Sequence, residues 1–259
     1  MTTLGWILAF TVLGGIASAA VAGIFLLIPD GPRARALPHL VSFATGTLLG
    51  AALLALLPHA LEGAGAERVH EIGLAVVVGI GVFFILEKLV LWRHSHGHHY
   101  PGHAAHAHHR EDASAALILV GDSIHNALDG VLIAAAFLTD VRLGIVTGVA
   151  AMAHEIPQEI GDFAVLLQSG MSRGRALLLN LLTSLTSVVG GLLAYFALSR
   201  ILDILPYALA VAAASFLYVA VADLIPGLHR RVDARASVAQ VVLIAVGIAV
   251  IALAEGHAH

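Results

Sequence analysis

The sequence predicts an all-α polytopic membrane protein with eight transmembrane helices, and three observations carry that expectation. Of 259 residues, 59% are hydrophobic and 12% are charged, against about 25% charged in soluble domains. The apolar residues come in blocks of about 20, the length a helix needs to cross the hydrocarbon core. Between the blocks stand charged stretches or Pro- and Gly-containing stretches of the kind that end a helix.

Leu4 to Ile28 is the first block. It opens on MTTLGW, has no basic leader and carries no charge, so it reads as a span and not as a cleaved signal segment. PDGPRARALP follows as a predicted turn, and Leu40 to Leu57 is the second span. Ile72 to Trp92 is the third, with Glu87 and Lys88 expected to pair near its end. Residues 93–112 read RHSHGHHYPGHAAHAHHRED, a low-complexity tract with nothing to build a core from and therefore expected to be disordered. It carries His94, His96, His98, His99, His103, His106, His108 and His109, a loose set of metal-binding imidazoles. Ala113 to Leu138 and Leu143 to Leu167 are the fourth and fifth spans, made antiparallel neighbours by the short TDVR turn. Ala176 to Ser199, Ile204 to Ile225 and Ala236 to Ala254 complete a single transmembrane domain over residues 1–259.

Orientation follows from the Lys/Arg bias of short loops. With the N-terminus outside, the inner loops hold Arg33, Arg35, Lys88, Arg93, Arg110, Arg173, Arg175, Arg230, Arg231 and Arg235, against Arg68, Arg142 and Arg200 outside. Both termini are then external and the His-rich tract is cytoplasmic; the setting expected is a bacterial inner membrane. The second span ends ALLPHALEG and the seventh ADLIPGLHR, at opposite faces of the membrane. Spans one to three and six to eight are therefore expected to form an inverted repeat around spans four and five.

The fourth and fifth spans carry ionisable side chains, which within a membrane mark function by default. HNALDG sets His125 and Asp129 four residues apart, on one helix face, with Asn126 beside them and Asp122 a turn earlier. In HEIPQEIGD, His154 with Gln158 and Glu155 with Glu159 repeat the spacing, and Asp162 follows. The acids Asp122, Asp129, Glu155, Glu159 and Asp162 would together cost about 15 kcal/mol unpaired in lipid. Neither span holds a Lys or Arg near them, so a divalent cation, water or protonation must compensate. Pro157 withholds an N–H from the Ala153 carbonyl and adds a candidate backbone ligand. The chain has no Cys, leaving imidazole, carboxylate and amide donors, which suit Zn, Fe, Mn, Co or Cd and argue against Cu(I).

The paired motifs, the His-rich loop before them and the eight spans closely resemble the ZIP (Zrt-, Irt-like protein) family of divalent-metal transporters. The resemblance implies uptake of zinc, or of iron, manganese or cadmium, into the cytoplasm, with metal as cargo and not as a catalytic cofactor. It also implies a two-metal site between spans four and five and a homodimer. Carried over by position, the ligands are His125, Asn126, Asp129, His154, Glu155 and Gln158, with Asp129 and residue 158 between the metals. Gln158 departs from the His or Glu of many relatives. Asp223 resembles the family's acid on the exit route, with His229 just beyond; Asp122, Glu159 and Asp162 are further pathway candidates.

Three alternatives stand beside this reading. A cation-efflux carrier usually has six spans and no proline in its ligand motif. An intramembrane zinc protease would need a second His where HEIPQ has Gln158, so no enzyme is expected. A membrane metal sensor would explain the His tract but not the ligands of two spans. No nucleic-acid partner is expected. His59, His70, Glu62, Glu67 and Glu71 read as a solvated outer face, and Gly46, Gly50, Gly190 and Gly191 as close helix packing.

Overall fold

The computed structural model describes residues 1–95, 107–229 and 233–256, with side chains at all of these except 30, 90–95 and 107–117. Among them there is no strand. Eight long helices run as α1 (Thr3–Phe25), α2 (Gly31–Ala64), α3 (Val69–Ser95), α4 (Ala107–Thr139), α5 (Val141–Gln168), α6 (Arg173–Leu198), α7 (Leu202–Leu228) and α8 (Ala234–Gly256). Seven of them are long and apolar enough to cross a membrane. The remaining helix, α5, has 28 residues, enough length for a crossing, and falls short in apolarity because it carries the HEIPQEIGD acids.

Helix ends depart from the expected boundaries for local reasons. PDGPRARALP is mostly helical, because Pro29 caps the helix that starts at Asp30 and Pro32 sits in its first turn, where a missing N–H costs nothing. Pro38 lies inside that helix. α2 runs beyond Leu57 to Ala64 through a π-helical turn, Ala51–Leu56, placed just before Pro58. α7 repeats the device, with a π turn at Val219–Leu224 just before Pro226. In each the wider turn absorbs the hydrogen bond that proline withholds. α3 continues to Ser95 and α4 begins at Ala107, so both ends of the His-rich tract are helical. His96, His98, His99, His103 and His106 lie outside the described residues.

Packing divides the helices into close pairs. α4 lies most extensively on α6, α2 on α8, and α3 on α7, while α5 is surrounded by α1, α2 and α4. The α4–α6 contact is backbone on backbone. A Cβ at Gly130, the last residue of HNALDG, would strike the Ser187 carbonyl, and one at Gly190 would strike the carbonyl of Ala127. Both glycines are thus required for close approach. This contact fixes the back of α4, and Trp6, Phe10 and Phe137 pack as an aromatic cluster joining α1 to α4. The face of α4 that carries His125 and Asp129 is left to meet α5.

Candidate metal centre

Asp129, His154 and Glu155 are buried and His125 is partly buried. The His125 Nε2 stands 3.2 Å from His154 Nε2 and 3.6 Å from Glu155 Oε1. Asp129 Oδ2 is 3.3 Å from His154 Nε2, and Glu155 Oε1 is 4.0 Å from the same nitrogen. One ligand atom from each of the four residues can be chosen so that all lie within 4.8 Å of one another. Four ligands around Zn at 2.0–2.1 Å in a tetrahedron would be about 3.3 Å apart, close to the spacing found.

The electron pairs at this cluster do not balance. His154 Nδ1 faces the Ala150 carbonyl at 3.2 Å and therefore carries the proton of a neutral ring, leaving a bare lone pair on Nε2. That lone pair is aimed at another imidazole nitrogen and a carboxylate. Glu155 has no hydrogen-bond donor on either oxygen, nor has Asp129 on Oδ2, among the described residues. Buried acceptors without donors are costly. A proton on one ring would serve one of them; a cation would serve all. Phe216 closes one side of His154 in an edge contact at 5.9 Å.

The other predicted site residues divide into groups. Asn126 donates to the Asp122 carboxylate at 2.8 Å and to its carbonyl at 3.2 Å, and keeps a buried amide oxygen with no partner among the described residues. Gln158, Asp162 and Asp223 line a cavity of about 420 Å³ together with Asp122, His125, Glu87 and Tyr218. Glu159 turns the other way, toward α6, where Asn180 and Ser184 both donate to it, the latter at 2.9 Å. His229 lines a separate cavity with Ile225, Leu228, Ser237 and Gln240, so it does not share a space with Asp223. His94 falls at the end of α3, and His108 and His109 in the first turn of α4.

Two features escaped the sequence reading. Asn180, Thr183, Ser184 and Ser187 are buried on α6, and their spacing of three, four and seven was the available signal for a polar stripe. Glu87 accepts from the Tyr218 hydroxyl, while Lys88 lies 6.0 Å from the Phe84 ring. The expected Glu87–Lys88 pair does not form because adjacent residues on a helix do not face each other.

The description of the ZIP zinc transporter family matches residues 2–115 and 92–255. This chain belongs to the ZIP family. A zinc transporter ZIP13 of Pongo abelii is 33% identical over 229 residues, covering 84% of this chain and 66% of that protein. The zinc transporter YKE4 of Saccharomyces cerevisiae is 31% identical over 267 residues, 90% of this chain and 77% of its own length. Human zinc transporter ZIP5 is 31% identical over 290 residues, 84% of this chain and 54% of its own. The chain thus spans between about half and three quarters of these relatives. Membership makes it an integral membrane protein of a transporter family, and the protease alternative falls with it.

Proposed function

We propose that this ZIP protein carries zinc, and with it iron, manganese or cadmium, into the cytoplasm through a site between α4 and α5. The observation that carries the reading is the convergence of two imidazole nitrogens and two carboxylates within 4.8 Å of one another, with no hydrogen-bond donor to Asp129 Oδ2 or to either Glu155 oxygen among the described residues. His125, Asp129, His154 and Glu155 would be the first ligands. The unpartnered amide oxygen of Asn126 and the cavity-lining Gln158 would extend the site to a second ion. Asp122, Asp162 and Asp223 border the cavity that leads away and would give the departing cation successive carboxylates.

The transport unit in this reading is the eight-helix chain, with α5 as the eighth span. An inverted repeat of α1–α3 and α6–α8 is supported by two features. The α3–α7 contact would map onto the α8–α2 contact under such a repeat. The π turn before Pro58 in α2 would likewise map onto the one before Pro226 in α7. The Lys/Arg bias favours both termini outside and the tract from His94 to His109 inside, where its imidazoles would collect ions that have crossed. We take the unit to be a homodimer in a bacterial inner membrane, although the relatives named above are eukaryotic.

The deciding experiment is uptake into proteoliposomes across a panel of divalent ions, with Asp129→Ala and His125→Ala beside the wild type. Both variants should insert and fold but carry no metal. Wild-type rates in both would remove the site.

A further inference from the structure

The cavity beside the four-ligand cluster is lined in part by a contact that the transport reading leaves without a role. On α3, Glu87 accepts a hydrogen bond from the Tyr218 hydroxyl of α7. Phe83, one turn before Glu87, stacks on the Tyr218 ring at 6.5 Å and 28°. Both members of the pair line the cavity, as do Asp162 of α5 and Asp223 of α7. With Asp122 of α4, four helices therefore turn carboxylates toward one space. Among the described residues no Lys or Arg lines it.

Two observations tie this contact to the ion. Asp122 borders the same space, is 5% exposed and, among the described residues, has no hydrogen-bond partner on Oδ2, so the cavity has an unmet need for positive charge along its wall. His125 both lines the cavity and belongs to the ligand cluster, so the path from cluster to Glu87 is continuous. Glu87 itself is met by a neutral donor. A phenol hydroxyl occupies one lone pair of a carboxylate without cancelling its charge, whereas a divalent cation would do both. Exchange of the phenol for a passing ion is thus favourable on arrival and reversible on departure.

We propose that Glu87 is a ligand on the path by which the cation leaves the α4–α5 cluster, and that Tyr218 positions its carboxylate toward the cavity between passages. Glu87 touches the ion; Tyr218 acts through Glu87. The proposal rests on the transport reading above, and the experiment separates the two.

Zinc flux is measured in proteoliposomes loaded with a fluorescent zinc indicator for wild type, Glu87→Gln, Tyr218→Phe, the double variant and Asp129→Ala. The melting temperature of each protein is recorded alongside. Gln keeps an oxygen for the Tyr218 hydroxyl but no charge, so Glu87→Gln should lower maximal rate about tenfold at unchanged melting temperature. Tyr218→Phe should lower the rate by a smaller factor, and that loss should vanish when residue 87 is already Gln. Wild-type flux in Glu87→Gln with a silent Asp129→Ala would overturn the proposal and leave the transport reading standing. An active Asp129→Ala would sink the transport reading itself. A Tyr218→Phe protein that loses rate and melting temperature alike, whichever residue stands at 87, would reduce the pair to a clamp between α3 and α7 and overturn the proposal too.

Discussion

Glu155→Gln should make the metal-free protein more stable and the zinc-bound protein less responsive, a pair of opposite signs that few roles other than cation ligand would produce. Glu155 is 2% exposed and, among the described residues, neither of its oxygens has a donor. A buried acceptor left in that state costs about 1–3 kcal/mol, more when charged. Glutamine removes the charge and turns one of the two acceptors into a donor, within reach of the His125 nitrogen that now stands 3.6 Å from Oε1. At about 2–4 °C per kcal/mol for a chain of this size, a gain of about 1–3 kcal/mol raises the melting temperature by roughly 2–12 °C.

Zinc narrows the difference. Binding to the folded state alone stabilises it by about 2.7 kcal/mol when zinc is at a hundred times its dissociation constant. If the amide weakens binding about tenfold, the same zinc concentration stabilises the variant by only about 1.4 kcal/mol. The lead of the variant over wild type should therefore shrink by about half or more when zinc is added. Intrinsic-fluorescence melting of purified protein, first with a chelator and then with zinc, measures both quantities. A lower melting temperature for chelated Glu155→Gln, or an equal zinc-induced rise in both proteins, would refute the argument.

Three further outcomes are expected. Gln158→His places a nitrogen donor on the helix face of His154, so it should lower the half-saturation concentration for zinc, reduce maximal rate and affect manganese less, because manganese favours oxygen ligands; parallel uptake curves for the two metals check this. Deleting the stretch from His94 to His109 should leave the initial zinc uptake rate at saturation within about tenfold of wild type, since in the proposed orientation its imidazoles act after the crossing. Asn180→Leu strips Glu159 of one of its two donors in a fully buried setting and should cost about 1–3 kcal/mol, read as a lower melting temperature with zinc affinity unchanged.

The helices and the principal cluster were legible because each depends on periodicity alone. A run of about 20 apolar residues forms a helix whatever surrounds it, and residues four apart share a face whatever that face meets. His125 with Asp129, and His154 beside Glu155, therefore come together as the letters suggest. What failed to show in the letters depends on neighbours. Pro29, Pro32 and Pro38 look like a turn in isolation but fit a helix start and a tolerated interior position. Gly130 looks like part of a ligand motif, yet the structure uses it to seat α4 on α6. Asp223 and His229 look like successive steps of one route. Six residues on a helix turn the chain by about 240°, and the π turn at Val219–Leu224 adds to the offset, so the two open on different cavities.

In the proposed reading, the cluster's lack of donors among the described residues is what would let the site pass an ion on and not merely hold it. A Lys or Arg placed against Glu155 would satisfy it and stabilise the empty protein, since a buried charge that loses its partner is worth several kcal/mol to re-pair. The same cation would then compete with zinc for the carboxylate, and every turnover would have to displace it. The protein instead spends its donors around the cluster: Asn126 donates to Asp122, and Asn180 and Ser184 donate to Glu159, while the Ala150 carbonyl accepts from His154 Nδ1 and fixes its tautomer. These bonds hold the supporting groups while His154 Nε2 and the oxygens of Glu155 stay open. Rigid support with an unsatisfied centre lets an ion bind by filling a deficit, without first breaking an internal pair. The same deficit limits how stable the empty state can be, so substitutions that stabilise it at residues 129, 154 or 155 should do so at the expense of flux.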